Sequence, residues 1–164
     1  MVVGNGTPLT GVPDWVTRVP LEENLGCSGG RNAGLKLLLE PDDVDVVIDL
    51  DDDGLLVADD VFARVQQLYA AAPGLGIVSF RVADELGQTL RRHVPRLRAG
   101  DPLRRVLVTA FLGCGHALSA PMLRQRRLTC RGGRWTPGGT SCTSRIWSCS
   151  IPGRHPAGKR CITG

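Results

Sequence analysis

Apolar and polar positions fall into short runs of two periods. Val2-Val3 reads as the end of a short strand entering a turn at Gly4-Asn5-Gly6, and Val16-Thr17-Arg18-Val19 reads as another strand, closed by Pro20. Residues 24–34, NLGCSGGRNAG, read as a glycine-rich loop running into a helical stretch, Leu35 to Glu40, that stops before Pro41. Val44 to Leu50 is apolar and rich in β-branched residues, broken only by Asp45 and Asp49, and reads as a central buried strand ending in Asp51-Asp52-Asp53-Gly54. Asp59 or Asp60 can cap a helix through Tyr69, whose apolar positions Val61, Phe62, Val65, Leu68 and Tyr69 recur at helical spacing. Gly76 to Val82 is a further strand. Strands alternating with helices predict an α/β fold with parallel pairing and right-handed crossovers, and no internal repeat is visible.

The 164 residues, 42% hydrophobic and 22% charged, suit one domain and exclude collagen-like, coiled-coil and wholly disordered classes. No apolar run approaches the ~18 residues of a membrane helix. MVVGNGTPLTG lacks the basic flank and apolar core of a secretory signal, which leaves a cytoplasmic protein as the expectation.

Charge divides the chain. All 16 acidic residues lie between Asp14 and Asp101. Residues 1–123 carry 11 Lys+Arg against those 16 acids, whereas residues 124–164 carry 9 basic residues and no acid. Cys130, Cys142, Cys149, Cys161, Trp135 and Trp147 also fall in this tail, which holds seven glycines and only four Leu or Ile. Such a segment can hardly bury enough apolar surface to offset its ordering entropy, so a disordered basic tail is expected. A nucleic-acid arm is one reading of it, since clustered Arg neutralises phosphates. A disulfide or zinc module is a second, but the cysteines form no CxxC pair, and His116 and His155 form no HxxxH. The favoured reading is a GC-rich coding region translated out of frame, because the body, with ten Arg to the single Lys36, itself looks GC-rich. No nucleic-acid partner is therefore expected.

Asp51 and Asp53 follow an apolar strand directly, at the strand end where ligands of open α/β sheets bind. Carboxylates at i and i+2 there can share one Mg²⁺ or Mn²⁺, which keeps waters and recruits substrate phosphates for its other positions. A solvated acidic turn weighs about equally. The glycine-rich loop has neither the Gly-Lys-Ser/Thr of a Walker loop nor GxGxxG. Glycines ahead of a helix let backbone approach an anion, and Arg31 adds a bidentate donor. An ordinary turn is the commoner meaning of such a loop seen alone.

In this order and spacing, VVGNGT (2–7), NLGCSGGRNAGL (24–35) and VDVVIDLDDDGLL (44–56) resemble the nucleotide-sugar half of a family 2 glycosyltransferase of the GT-A fold. RRHVPRL (91–97) and VTAFLGCGHAL (108–118) resemble that family's stretch leading to the acceptor side, so the resemblance covers about residues 1–123 and none of the tail. It implies a partial GT-A, Rossmann-like sheet over 1–123. Asn24, Gly29, Gly30, Arg31 and Asn32 would line the nucleotide and diphosphate pocket, Asp52 would lie near the sugar nucleotide, and Asp51 with Asp53 would hold the metal. The implied partners are a nucleotide-sugar donor and a glycan or lipid-linked acceptor, with peripheral association at the inner face of the membrane.

Gly4 and Cys27 depart from the family, which often has an acid and a small residue there. The resemblance also leads one to expect a strand and helix before Met1, and an acidic motif beyond 123 to supply the acceptor base. Asp84, Glu85 and Asp101 come too early for that base, and His116 beside Gly115 in an apolar stretch is more often structural. No catalytic residue is assigned, and an inactive fragment that at most binds nucleotide is the alternative expectation. A lesser alternative is that Asp49-Leu50-Asp51 resembles the strand-end pair of haloacid-dehalogenase-like phosphatases. That chemistry needs a later Lys and a later acidic pair, for which the sequence offers only Lys159, Asp59-Asp60 and Asp84-Glu85.

Overall fold

A computed structural model describes residues 1–84, 86–88, 106–108, 115–125, 128–131, 134–137, 145–149 and 161–163. Strand β1 (Val2–Asn5) pairs in parallel with β2 (Arg18–Leu21), Val3 opposite Val19. Pro20, expected to close the second strand, lies inside it opposite Gly4, which the missing proline N–H allows at the edge of a two-stranded ribbon.

Helix α1 spans Gly26–Leu38, so the expected glycine-rich loop is itself helical. Side-chain capping and close packing make this possible although each interior glycine costs about 1 kcal/mol relative to alanine. The Asn24 side-chain oxygen accepts the Gly26 N–H at 2.8 Å and the Asn5 oxygen accepts the Leu25 N–H at 2.9 Å, satisfying donors at the helix start. A Cβ on Gly34 would stand 2.9 Å from Val3 Cγ2, and one on Gly30 would stand 3.1 Å from Asn5 Cγ. These glycines let α1 lie directly on β1. The helix ends with Leu39 as its C-cap and Lys36 in its last turn, two residues before Pro41.

Strand β3 (Val46–Asp49) is followed by α2 (Val61–Ala71) and the nine-residue β4 (Leu75–Ala83). Asp60 is the α2 N-cap, but its side chain makes no cap bond and instead pairs with Arg64 one turn on, at 2.7 Å. Val61, Val65 and Leu68 bury the inner stripe of α2, while Phe62, which shares their spacing, is 63% exposed. Next come β5 (Val106–Val108), β6 (His116–Ser119) and a short helix α3 (Ala120–Arg124). Strands β7 (Leu128–Arg131), β8 (Arg134–Pro137), β9 (Arg145–Cys149) and β10 (Cys161–Thr163) lie in the basic tail.

The main sheet runs β3-β6-β4-β9-β5, with β10 on the far end of β4. Strand β6 is antiparallel to both β3 and β4, so those two run the same way without touching. Uniform parallel pairing is thus corrected: the chain returning from β4 inserts β6 between strands that the alternation of elements would have made neighbours. Strand β3, expected to be central, stands at the end of this order. Strand β9 pairs in parallel with β4, and β7 with β8 antiparallel. Within 124–164 the described residues include four strands. Composition bears on core burial, whereas β9 is held by backbone pairing between β4 and β5, and its RIWSC sequence suits a strand. The stretches 91–97 and 109–114, with Glu85, Asp101, Cys142, His155 and Lys159, lie outside the described residues.

The sheet is covered on two faces. Val47, Leu118 and Ile77, aligned across β3, β6 and β4, pack with Leu35, Leu38 and Leu39 on the α1 side. Val78, Phe80 and Ala117 pack with Val61, Val65 and Leu68 on the α2 side. Among the described residues no helix is long and apolar enough to cross a membrane.

Candidate functional site

Side chains alternate along a strand, so Asp49 shares the α1-facing side with Val47, His116 with Leu118, and Ser79 with Ile77. Their registers align Asp49, His116 and Ser79 in one row, two residues along from the apolar row of Val47, Leu118 and Ile77. The layer between sheet and α1 thus changes from apolar to polar in one step. Arg31 sits one helical turn before Leu35 on the same helix and meets the polar row.

The Arg31 guanidinium forks between two carboxylates. Its Nε donates to Asp49 Oδ2 at 2.6 Å and its Nη2 to Asp51 Oδ1 at 2.7 Å, while Nη1 faces the Cys27 sulfur. Behind Asp49, the His116 Nε2 lies 3.1 Å from the same Oδ2. Exposure rises steeply outward: the side chains of His116, Arg31, Asp49 and Asp51 are 0%, 12%, 20% and 41% exposed.

The two carboxyls are driven apart. Burial alone would raise Asp49, but His116 and Arg31 beside it outweigh that and hold it below the ordinary carboxylate value. Asp51 is raised, first by burial and then by the charges of Asp49 and Asp53, which together exceed the pull of Arg31. Burial works against the Arg31 charge, yet Asp49 foremost, with Cys27 and Asp51, lifts its pKa above the usual value.

No family model, curated protein or solved structure matches the chain. The residues expected at the site fall into three places. Arg31 and Asp51 meet at the β3 end of the sheet. Asn24 serves the start of α1, its oxygen taking Gly26 N–H at 2.8 Å and the Asn5 amide at 3.1 Å, while Gly29 and Gly30 are packing positions within the helix. Asn32, Asp52 and Asp53 are exposed. Residue type and spacing do not mark Asp49 and His116 as partners of Arg31. Strand parity was the available signal, since it puts Asp49 on the same face as the buried Val47.

Asp51 opens a turn closed by the Gly54 N–H on its carbonyl at 3.0 Å, and Asp53 lies in that turn. Two carboxylates on one open turn are hard oxygen donors, the kind Mg²⁺ or Mn²⁺ takes together with water and phosphate. Among the described residues no three His, Cys, Asp or Glu side chains gather as a metal-holding group.

Proposed function

We propose that the chain carries the donor side of a GT-A glycosyltransferase site, binding a nucleotide-diphosphate sugar for transfer to a glycan or lipid-linked acceptor. One observation carries the proposal: the 2.7 Å contact between Arg31 and Asp51, which joins the α1 motif to the DxD turn at one point of the sheet. The spacing of those motifs, and the resemblance they bear to family 2 glycosyltransferases, supply the chemistry. Arg31 is a planar donor fork suited to diphosphate oxygens, and Asp49 with His116 fixes its direction. Asp51 and Asp53 would hold Mg²⁺ or Mn²⁺, which as a Lewis acid stabilises a departing diphosphate. No described side chain is assigned as the acceptor's base.

The strand-end pair Asp49-Leu50-Asp51 gives a second reading, a phosphatase in which Asp49 attacks and Asp51 acts as the acid. The engagement of Asp49 Oδ2 by both Arg31 and His116 counts against it. A thermal-shift panel of nucleoside diphosphate sugars with Mn²⁺ separates the two. A ligand at about 100 times its Kd adds ~2.7 kcal/mol, or about 5–11 °C for a chain of this size. Stabilisation by one nucleotide class only with metal supports the transferase reading. No shift with any donor, together with hydrolysis of a simple phosphate ester, contradicts it.

A further inference from the structure

Strands β7 and β8 form a sheet of their own, paired antiparallel with Arg131 opposite Arg134, Cys130 opposite Trp135, Thr129 opposite Thr136 and Leu128 opposite Pro137. Residues along a strand alternate between faces, and directly paired residues share one. The register therefore sorts the ribbon: Thr129, Arg131, Arg134 and Thr136 belong to one face, and Leu128, Cys130, Trp135 and Pro137 to the other. A basic segment without strands carries charge but no face. Paired as a ribbon, it has one.

Charge singles out the same part of the chain. Residues 124–164 carry nine cations and no acid, whereas residues 1–123 carry 11 cations against 16 acids. A polyanion is thus drawn to the tail and repelled by the body. We propose that the Thr129–Arg131–Arg134–Thr136 face is a docking surface for duplex DNA, its arginines and threonines taking phosphate oxygens. Guanidinium and hydroxyl groups are the usual donors to phosphate, and such contacts bind without reading base sequence. The major groove of B-DNA, about 12 Å wide, admits a two-stranded ribbon, whereas that of duplex RNA is too narrow. Entry into a membrane would instead require the Leu128–Cys130–Trp135–Pro137 face to reach lipid, and β7 already lies against α1 and α3.

The test is fluorescence anisotropy of a short labelled DNA duplex with the full chain over a series of salt concentrations. Wild type is compared with Arg131→Ser/Arg134→Ser, with Arg131→Lys/Arg134→Lys, and with Arg18→Ser/Arg64→Ser, which removes two cations from the body. On logarithmic axes the wild-type affinity should fall linearly with salt. The serine pair in the ribbon should weaken it roughly tenfold per arginine near 0.1 M salt and lower the slope by about 2. The lysine pair keeps both charges and should keep the slope, as should the body variant. Three results overturn the inference: wild-type binding that ignores salt, a slope that the ribbon serines leave unchanged, or equal weakening by the body variant. If the serine pair fails to fold, the lysine pair and the wild-type slope still decide, since a folded lysine pair with a lowered slope also contradicts the role of charge. Phosphatidylserine vesicles are the second probe. Vesicle binding that the ribbon serines abolish, with duplex binding intact, overturns the inference in favour of a membrane surface.

Discussion

His116 and Asp49 stand opposite each other on neighbouring antiparallel strands, and their side chains meet at 3.1 Å beneath the Arg31 guanidinium. The pair converts the last row of a hydrophobic layer into the base of a charged site. The carboxylates of Asp49 and Asp51 consequently respond to pH in opposite senses and to mutation by different amounts.

Asp49, held below its ordinary value, contributes stability that is present above the unfolded pKa of about 3.9 and lost as pH falls through the folded value. Asp51 is raised, so folding favours its protonated form, and what it contributes in acid fades as pH rises through its folded pKa. At pH 7, Asp49→Asn should cost about 2 kcal/mol, by weakening the partner of a nearly buried guanidinium. Asp51→Asn should stay within about 0.5 kcal/mol of wild type. Urea unfolding at pH 7 and well below the unfolded carboxylate pKa of about 3.9 measures both, and the Asp49→Asn deficit should shrink at the lower pH. Equal costs for the two variants at pH 7 would contradict the electrostatic picture.

Gly34→Ala separates helix propensity from packing. Propensity alone would gain about 1 kcal/mol, but the added Cβ would stand 2.9 Å from Val3 Cγ2, and a stiff β-branched side chain yields little. Overpacking of this kind costs about 1–3 kcal/mol, so the net change should be a loss of about 1 kcal/mol, or ~2–4 °C in Tm. Asn32→Ala, exposed on the same helix, should instead gain a few tenths of a kcal/mol. A thermal scan in which both variants gain stability would show that α1 does not lie tightly on β1.

How much of this was legible in the sequence follows from the range of the interactions. The α2 stripe of Val61, Val65 and Leu68 and most of β4 depend on local periodicity and could be read from it; Phe62, at the edge of that stripe, could not. The insertion of β6 between β3 and β4 joins residues 37–41 positions apart on the β4 side and 67–73 apart on the β3 side, and no local pattern encodes it. Glycines at 29, 30 and 34 suggested a loop because the contacts that compensate for them, to Leu25, Asn5 and Val3, lie largely outside the helix. Within the site, Arg31 and Asp51 were singled out by residue type, whereas Asp49 and His116 become partners only once β3 and β6 pair.

Tyr69 links α2 to the middle of the sheet. Its hydroxyl lies 2.9 Å from the Ala117 carbonyl and 3.2 Å from that of Gly76, with one proton to share between them. Tyr69→Phe leaves these buried acceptors without it and should cost about 1–2 kcal/mol. Burial raises the phenol well above its ordinary value of about 10. Because the chain has a single tyrosine, the rise in absorbance near 295 nm on phenol ionisation, over the constant background of the three tryptophans, reports this residue alone. Tyrosinate should be absent at about pH 11 while the fold persists and appear only with unfolding. Reversible ionisation near pH 10 in the folded protein would contradict the burial of this hydroxyl.

The central claim is that Arg31 of α1 and the Asp51–Asp53 turn form one diphosphate site. Titration calorimetry of nucleoside diphosphate, with and without Mn²⁺, against wild type and the Asp51→Ala/Asp53→Ala double variant tests it most directly. Metal-dependent binding by the wild type and none by the folded double variant is the expected result. Equal binding by the two proteins, or binding by the wild type that ignores Mn²⁺, would contradict it.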